Sequence, residues 1–231
     1  MLSLFDNKCY KCGESVKKLV VFVHGYNGTP ESINYAVQWL SSKLNDAVIV
    51  VPQAPYACEK DADNLQWLSF YKSDPEVRFR QPCTPTAEIF EIFNRLGDDF
   101  AQVAQQMNDF ISEQQKIWQV DDEHTFVMGF SQGAMISMYT ALTRGKVLGG
   151  CVAVAGIIAG KDRLATEIVS RPPFLVLHGR DDVTVQYKTL PDSLKWLKAH
   201  NVDYTLFEFD NLAHRMNEEE MQKAADFINS K

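Results

Sequence analysis

The sequence of 231 residues predicts an α/β fold: a single domain with a mostly parallel central sheet and helices on both faces. Short apolar runs at 19–23, 47–51, 125–130, 150–155, 173–178 and 204–209 read as strands, and helical patterns near 30–44, 86–117, 132–143, 188–200 and 216–229 fall between them. Such alternation requires crossover connections, which set the strands parallel and distribute helices over both faces. The length suits one hydrophobic core, and no internal repeat or low-complexity linker marks a second domain.

Residues 1–18 read as an N-terminal extension or exposed hairpin ahead of a domain spanning 19–231. The run Leu19 to Val23 ends in His24-Gly25-Tyr26-Asn27-Gly28, a glycine-flanked turn before a helix starting near Pro30. A second run, Ala47 to Val51, ends in Pro52-Gln53-Ala54-Pro55, and residues 71–85, rich in Pro and charge, read as a loop. Residues 86–117 form the longest helical candidate, with Gly97 as its natural break. Glu218-Glu219-Glu220 read as a solvated first turn of the last helix, favoured by the helix dipole.

The most informative stretch is Gly129-Phe130-Ser131-Gln132-Gly133. A bare Gly-x-Ser-x-Gly occurs by chance in about one chain in ten of this size. Here the apolar run Thr125 to Met128 precedes it and the helical stretch Gln132 to Leu142 follows, so Ser131 lies at a strand-to-helix turn. Such a turn lifts a serine oxygen to the end of the sheet, where a nucleophile is needed. A nucleophilic serine also needs a base and an acid that orients the base. The strand ending at His178-Gly179 delivers Asp181 and Asp182, either of which could also be an ordinary turn aspartate. The strand Tyr204 to Phe209 leads into a loop carrying His214, whereas His178, at the end of an apolar strand, reads as a buried and hydrogen-bonded side chain. Serine, then aspartate, then histidine is the chain order of an α/β-hydrolase fold. Charge developing on a carbonyl oxygen calls for two backbone donors, assigned to the amides of Gln132 and Tyr26.

The chain resembles the phospholipase/carboxylesterase family of α/β-hydrolases, which includes acyl-protein thioesterases. The matching motifs run from residue 19 to about 228: the His24-Gly25 turn, Pro52-Gln53-Ala54-Pro55, Trp67, Gly129-Phe130-Ser131-Gln132-Gly133-Ala134, His178-Gly179 and His214. The resemblance implies that the aspartate three residues after Gly179, Asp182, is the acid, and it favours Tyr26 as an oxyanion donor. It also implies a serine carboxylesterase or thioesterase acting on a small-molecule or lipid ester or thioester, with acylated proteins within its range. Asn27-Gly28 stands where the family has Gly-Asp, and Val185-Gln186 where it has Val-Pro; both departures alter loop shape more than chemistry. The 71–85 segment stands where the family has a variable loop near the acyl groove, so Arg78 and Arg80 become candidates for meeting an anionic head group. Trp67 is a candidate wall of the acyl pocket or a core aromatic.

Composition narrows the alternatives. A net charge of −7 argues against nucleic acid as partner. The longest apolar run, Cys151 to Ala159, is interrupted at Gly156 and is too short to span a membrane. The start Met1-Leu2-Ser3-Leu4-Phe5-Asp6 lacks a signal-peptide pattern, so a cytoplasmic location is expected. Five cysteines at irregular spacing fit reduced thiols there. Cys9-Tyr10-Lys11-Cys12 has no second pair to complete a zinc site, so neither a metal nor an organic cofactor is expected. A homodimer is compatible with the sequence, which carries no signal for oligomeric state.

Overall fold

A computed structural model describes residues 5–231. Within them, the strands β1 (Asn7–Cys12), β2 (Lys18–Val23), β3 (Ala47–Pro52), β6 (Thr125–Phe130), β7 (Gly150–Val154), β8 (Phe174–Gly179) and β9 (Tyr204–Phe209) form one sheet in the order β1-β3-β2-β6-β7-β8-β9. Two short strands, β4 (Tyr56–Ala57) and β5 (Leu65–Gln66), pair separately. From β3 to β9 every pairing in the large sheet is parallel; β1 alone runs antiparallel, with Asn7 opposite Pro52 and Cys12 opposite Ala47.

The continuous apolar runs follow from burial on both faces. Leu19, Val21, Val23, Val127, Ala153 and Val176 point into one core layer, while Val20, Phe22, Met128, Val152 and Leu177 point into the other. The first layer is covered by α2 (Thr86–Asn94), α3 (Gly97–Trp118), α4 (Gln132–Thr143), α5 (Lys161–Glu167) and α6 (Leu190–Ala199). The second is covered by α1 (Asn34–Ser41) and α7 (Glu218–Asn229), which pack together. No helix among the described residues is long and apolar enough to cross a membrane.

Several elements differ from the sequence reading. The segment expected as an extension or hairpin supplies β1, the antiparallel edge of the same sheet; Cys9 is exposed and Cys12 buried because residues three apart lie on opposite faces of a strand. The 30–44 helix divides into a 3-10 turn, Pro30–Ile33, and α1. The 86–117 helix breaks at Arg95 and Leu96, and Gly97 opens α3. A Cβ on Gly97 would lie 3.2 Å from the Arg163 side chain, so the small residue lets α5 approach. Glu220 is fully buried, unlike its exposed neighbours Glu218 and Glu219.

Candidate active site

Ser131 caps α4 directly after β6, with φ 57° and ψ −120°. A non-glycine residue in that region carries strain of about 1–3 kcal/mol, which surrounding bonds must offset. Its amide donates to Val154 O at 2.9 Å, and its carbonyl accepts from Ala134 and Met135 at 3.0 and 3.1 Å. Close backbone approach explains both glycines of the motif. A Cβ on Gly129 would stand 2.2 Å from Gly133 O, and one on Gly133 would stand 2.1 Å from Val23 O.

The structure brings Ser131, His214 and Asp182 together. His214 Nε2 accepts from Ser131 Oγ at 2.9 Å, while its Nδ1–H donates to Asp182 Oδ2 at 2.7 Å. Asp182 is 3% exposed, and its other oxygen accepts from the Thr184 and Val185 amides at 2.8 and 2.9 Å. The Asp182 carboxyl is thus oriented by hydrogen bonds, and Asp181 stays exposed. The acid and histidine loops are joined by Asp181 N donating to Leu212 O. A Cβ on Gly179 would meet that same oxygen at 2.1 Å. His178 is fully buried beside Asp182 and donates from Nε2 to Val185 O at 2.9 Å; burial lowers its pKa. His214 stacks at a tilt on Phe130, 4.8 Å between ring centres.

The early turn lies against the serine: a Cβ on Gly25 would sit 3.3 Å from Ser131 Cβ. His24, the first residue of the turn, organises it. Ala54 N donates to His24 Nε2 at 3.1 Å, so the proton resides on Nδ1, which donates to Gly25 O at 2.9 Å. Burial pushes the His24 pKa down to about 4, keeping the ring neutral. Gly25 C=O and Tyr26 N–H belong to one planar trans peptide, so a carbonyl turned toward His24 turns the Tyr26 amide the opposite way. Neither the Tyr26 nor the Gln132 amide donates to an acceptor among the described residues. The Gln132 amide also opens α4, where the helix dipole favours negative charge.

Trp67 is fully buried and lines no open surface. Its indole donates to His24 O at 2.9 Å, and its amide donates to Gln132 Oε1 at 3.0 Å, supporting the turn from beneath. Gln132 Nε2 donates to Leu68 O, closing this link. Arg78 lies in the 3-10 turn Arg78–Arg80 and is ion-paired with Glu88. Neither arrangement was readable from residue type, because both depend on partners distant in sequence.

Two adjoining clefts flank the site. One of about 280 Å³ includes His214, Arg215 and Phe130, and one of about 170 Å³ includes Gly25, Tyr26 and Phe130; Ser32, Ile33 and Met216 line both. A larger concavity of about 640 Å³ surrounds Arg144 and Asp122 at the opposite end of β6, where Arg144 is engaged by Asp122, Asn108, Ser112 and Gln115. Those bonds make it a structural network away from Ser131.

A family model described as Phospholipase/Carboxylesterase matches residues 8–231. The chain is 26% identical to an acyl-protein thioesterase 1 of Candida albicans, over 94% of this chain and 93% of that protein. It is 25% identical to an acyl-protein thioesterase 1 homolog of Dictyostelium discoideum, over 90% and 88%. The crystal structure of esterase PE8 superposes with a TM-score of 0.81 at 22% identity, covering 98% of both chains, which establishes the shared fold.

Proposed function

This chain belongs to the phospholipase/carboxylesterase family, and on that premise we propose that it is a serine hydrolase cleaving carboxylic ester or thioester bonds through an acyl-enzyme on Ser131. The reading is carried by one observation: the unbroken relay from buried Asp182 through His214 to Ser131 Oγ, with the serine on a strained strand-to-helix turn.

His214 takes the Ser131 proton as the serine oxygen attacks the carbonyl carbon. Asp182 fixes the tautomer with Nδ1 protonated and stabilises the imidazolium that forms. The oxyanion is received by the Tyr26 and Gln132 amides, and one such donor is worth about 3 kcal/mol of transition-state stabilisation. The imidazolium then protonates the leaving alcohol or thiol. Water, deprotonated by the same His214, releases the acid and restores Ser131. The substrate is an ester or thioester of a small molecule or lipid, with acylated proteins within range of the same chemistry.

Initial rates on matched oxygen esters and thioesters of rising acyl length, with Ser131→Ala as background, test this. A Ser131-dependent rate supports the assignment, and its growth or fall with chain length identifies a long or short acyl preference. Turnover retained by Ser131→Ala, or no Ser131-dependent rate on any member, overturns it.

A further inference from the structure

We propose that Arg80 selects substrates carrying a carboxylate near the scissile bond, an inference that rests on the esterase reading and refines it. The Arg80 guanidinium lies over the Tyr26 ring at 5.4 Å and over the Phe79 ring at 5.3 Å. Attraction of a guanidinium to ring faces restrains where the group sits without using up its N–H donors. Arg80 Nε is buried and has no hydrogen-bond partner, and among the described residues the guanidinium is engaged by the two rings alone, with no ion pair. Its neighbour Arg78 is paired with Glu88. Glu59, the acid beside Tyr26, is engaged by the Tyr26 hydroxyl, the Phe70 and Tyr71 amides and Gln66. Arg80 is half-buried with no carboxylate among the described residues to balance its charge, and a carboxylate reaching its terminal nitrogens would supply that partner.

Position ties this group to the catalytic centre. Tyr26 follows Gly25, which packs on Ser131. On the other side, Gln186, four residues beyond Asp182, donates to Phe79 O at 2.7 Å and Gln81 O at 3.0 Å, gripping the backbone on both sides of Arg80. Arg80 is therefore held between the oxyanion turn and the acid loop. A planar carboxylate taken by two N–H groups matches this fork, and the carboxylate could belong to the acyl group or to the leaving group.

The test compares kcat/KM for a monoaryl glutarate with that for the aryl pentanoate of equal chain length. A second pair places the carboxylate on the leaving phenol instead. In Arg80→Met, the ratio of charged to neutral substrate should fall about tenfold or more in at least one pair. Arg80→Lys should recover part of it, since charge returns without the fork. Arg215→Met, which removes an exposed cation beside His214, serves as the comparison. Binding of monoethyl glutarate to the Ser131→Ala protein, with and without Arg80→Met, gives a second readout independent of turnover. Where wild-type protein hydrolyses neither member of either pair, the binding readout alone decides on Arg80. Ratios and binding unchanged by Arg80→Met, or a ratio that responds to Arg215→Met alone, overturn the proposal.

Discussion

Replacing Glu220 by Gln should stabilise the protein at alkaline pH and do so far less at pH 5. Glu220 is the third residue of α7, where its side chain accepts from Asn217 N at 3.0 Å while Asn217 caps Glu220 N at 2.8 Å. Gln preserves this reciprocal cap. The carboxyl is fully buried, its Oε1 has no partner, and burial, reinforced by the charges of Asp182 and Glu219, raises its pKa to about 7 from 4.5. A folded pKa above the unfolded one means that the native state holds the proton more tightly. Stability from this group is therefore full below pH 4.5 and is lost as pH rises to 7. A shift of this size corresponds to about 3 kcal/mol at pH 8.5 and under about 1 kcal/mol at pH 5. With an unfolding entropy of about 2 cal/mol/K per residue, the gain at pH 8.5 is roughly 6 °C in Tm. Thermal melts of both proteins at pH 5 and 8.5 measure it. A Tm difference that is the same at both pH values refutes the reasoning.

His24 titrates with the opposite sign. Its folded pKa of about 4 lies below the 6.5 of an unperturbed histidine, so the stability it provides is full above pH 6.5 and falls away toward pH 4. Urea titrations should find that His24→Gln loses about 3 kcal/mol less than wild type between pH 7 and pH 4; equal losses contradict the assignment. At neutral pH, His24→Ala should lower kcat about tenfold or more with little change in KM, because the Gly25-Tyr26 peptide loses its anchor. A pure KM effect would remove His24 from that role. Gly25→Ala adds a Cβ 3.3 Å from Ser131 Cβ, Phe130 Cδ1 and Phe130 O, so kcat should fall while Tm moves by only a few degrees; full activity would show that the turn yields freely. Gly133→Ala meets backbone at 2.1 Å and should destabilise by about 3 kcal/mol or more in denaturant titrations, against near-neutrality if α4 can shift.

How far the sequence discloses this molecule depends on where the information resides. The central strands are legible because burial on both faces leaves a continuous apolar run, as in Leu19 to Val23. β1 is not, because an edge strand with exposed Lys8, Cys9 and Lys11 shows no such run. The seven residues of α5 are too few for a clear helical period. Ser131 and His214 stand out by turn and order, but Asp181 and Asp182 are chemically identical, and only the resemblance or the fold separates them. Arg78 and Arg80 pose the same difficulty: which of the two finds Glu88 is decided by the packing of α2. Trp67 carries no mark of its hydrogen bond to His24 O, 43 residues away. Glu220 was recoverable, since Glu220, Ala224 and Ile228 share the buried four-residue period of α7.

The central claim is an acyl-enzyme on Ser131. Mass spectrometry of protein quenched during the first turnovers of a slowly deacylating ester, followed by peptide mapping, tests it most directly. One acyl group per chain on Ser131, absent from Ser131→Ala, is the predicted result. An adduct on another residue, or turnover by Ser131→Ala without any adduct, would contradict it.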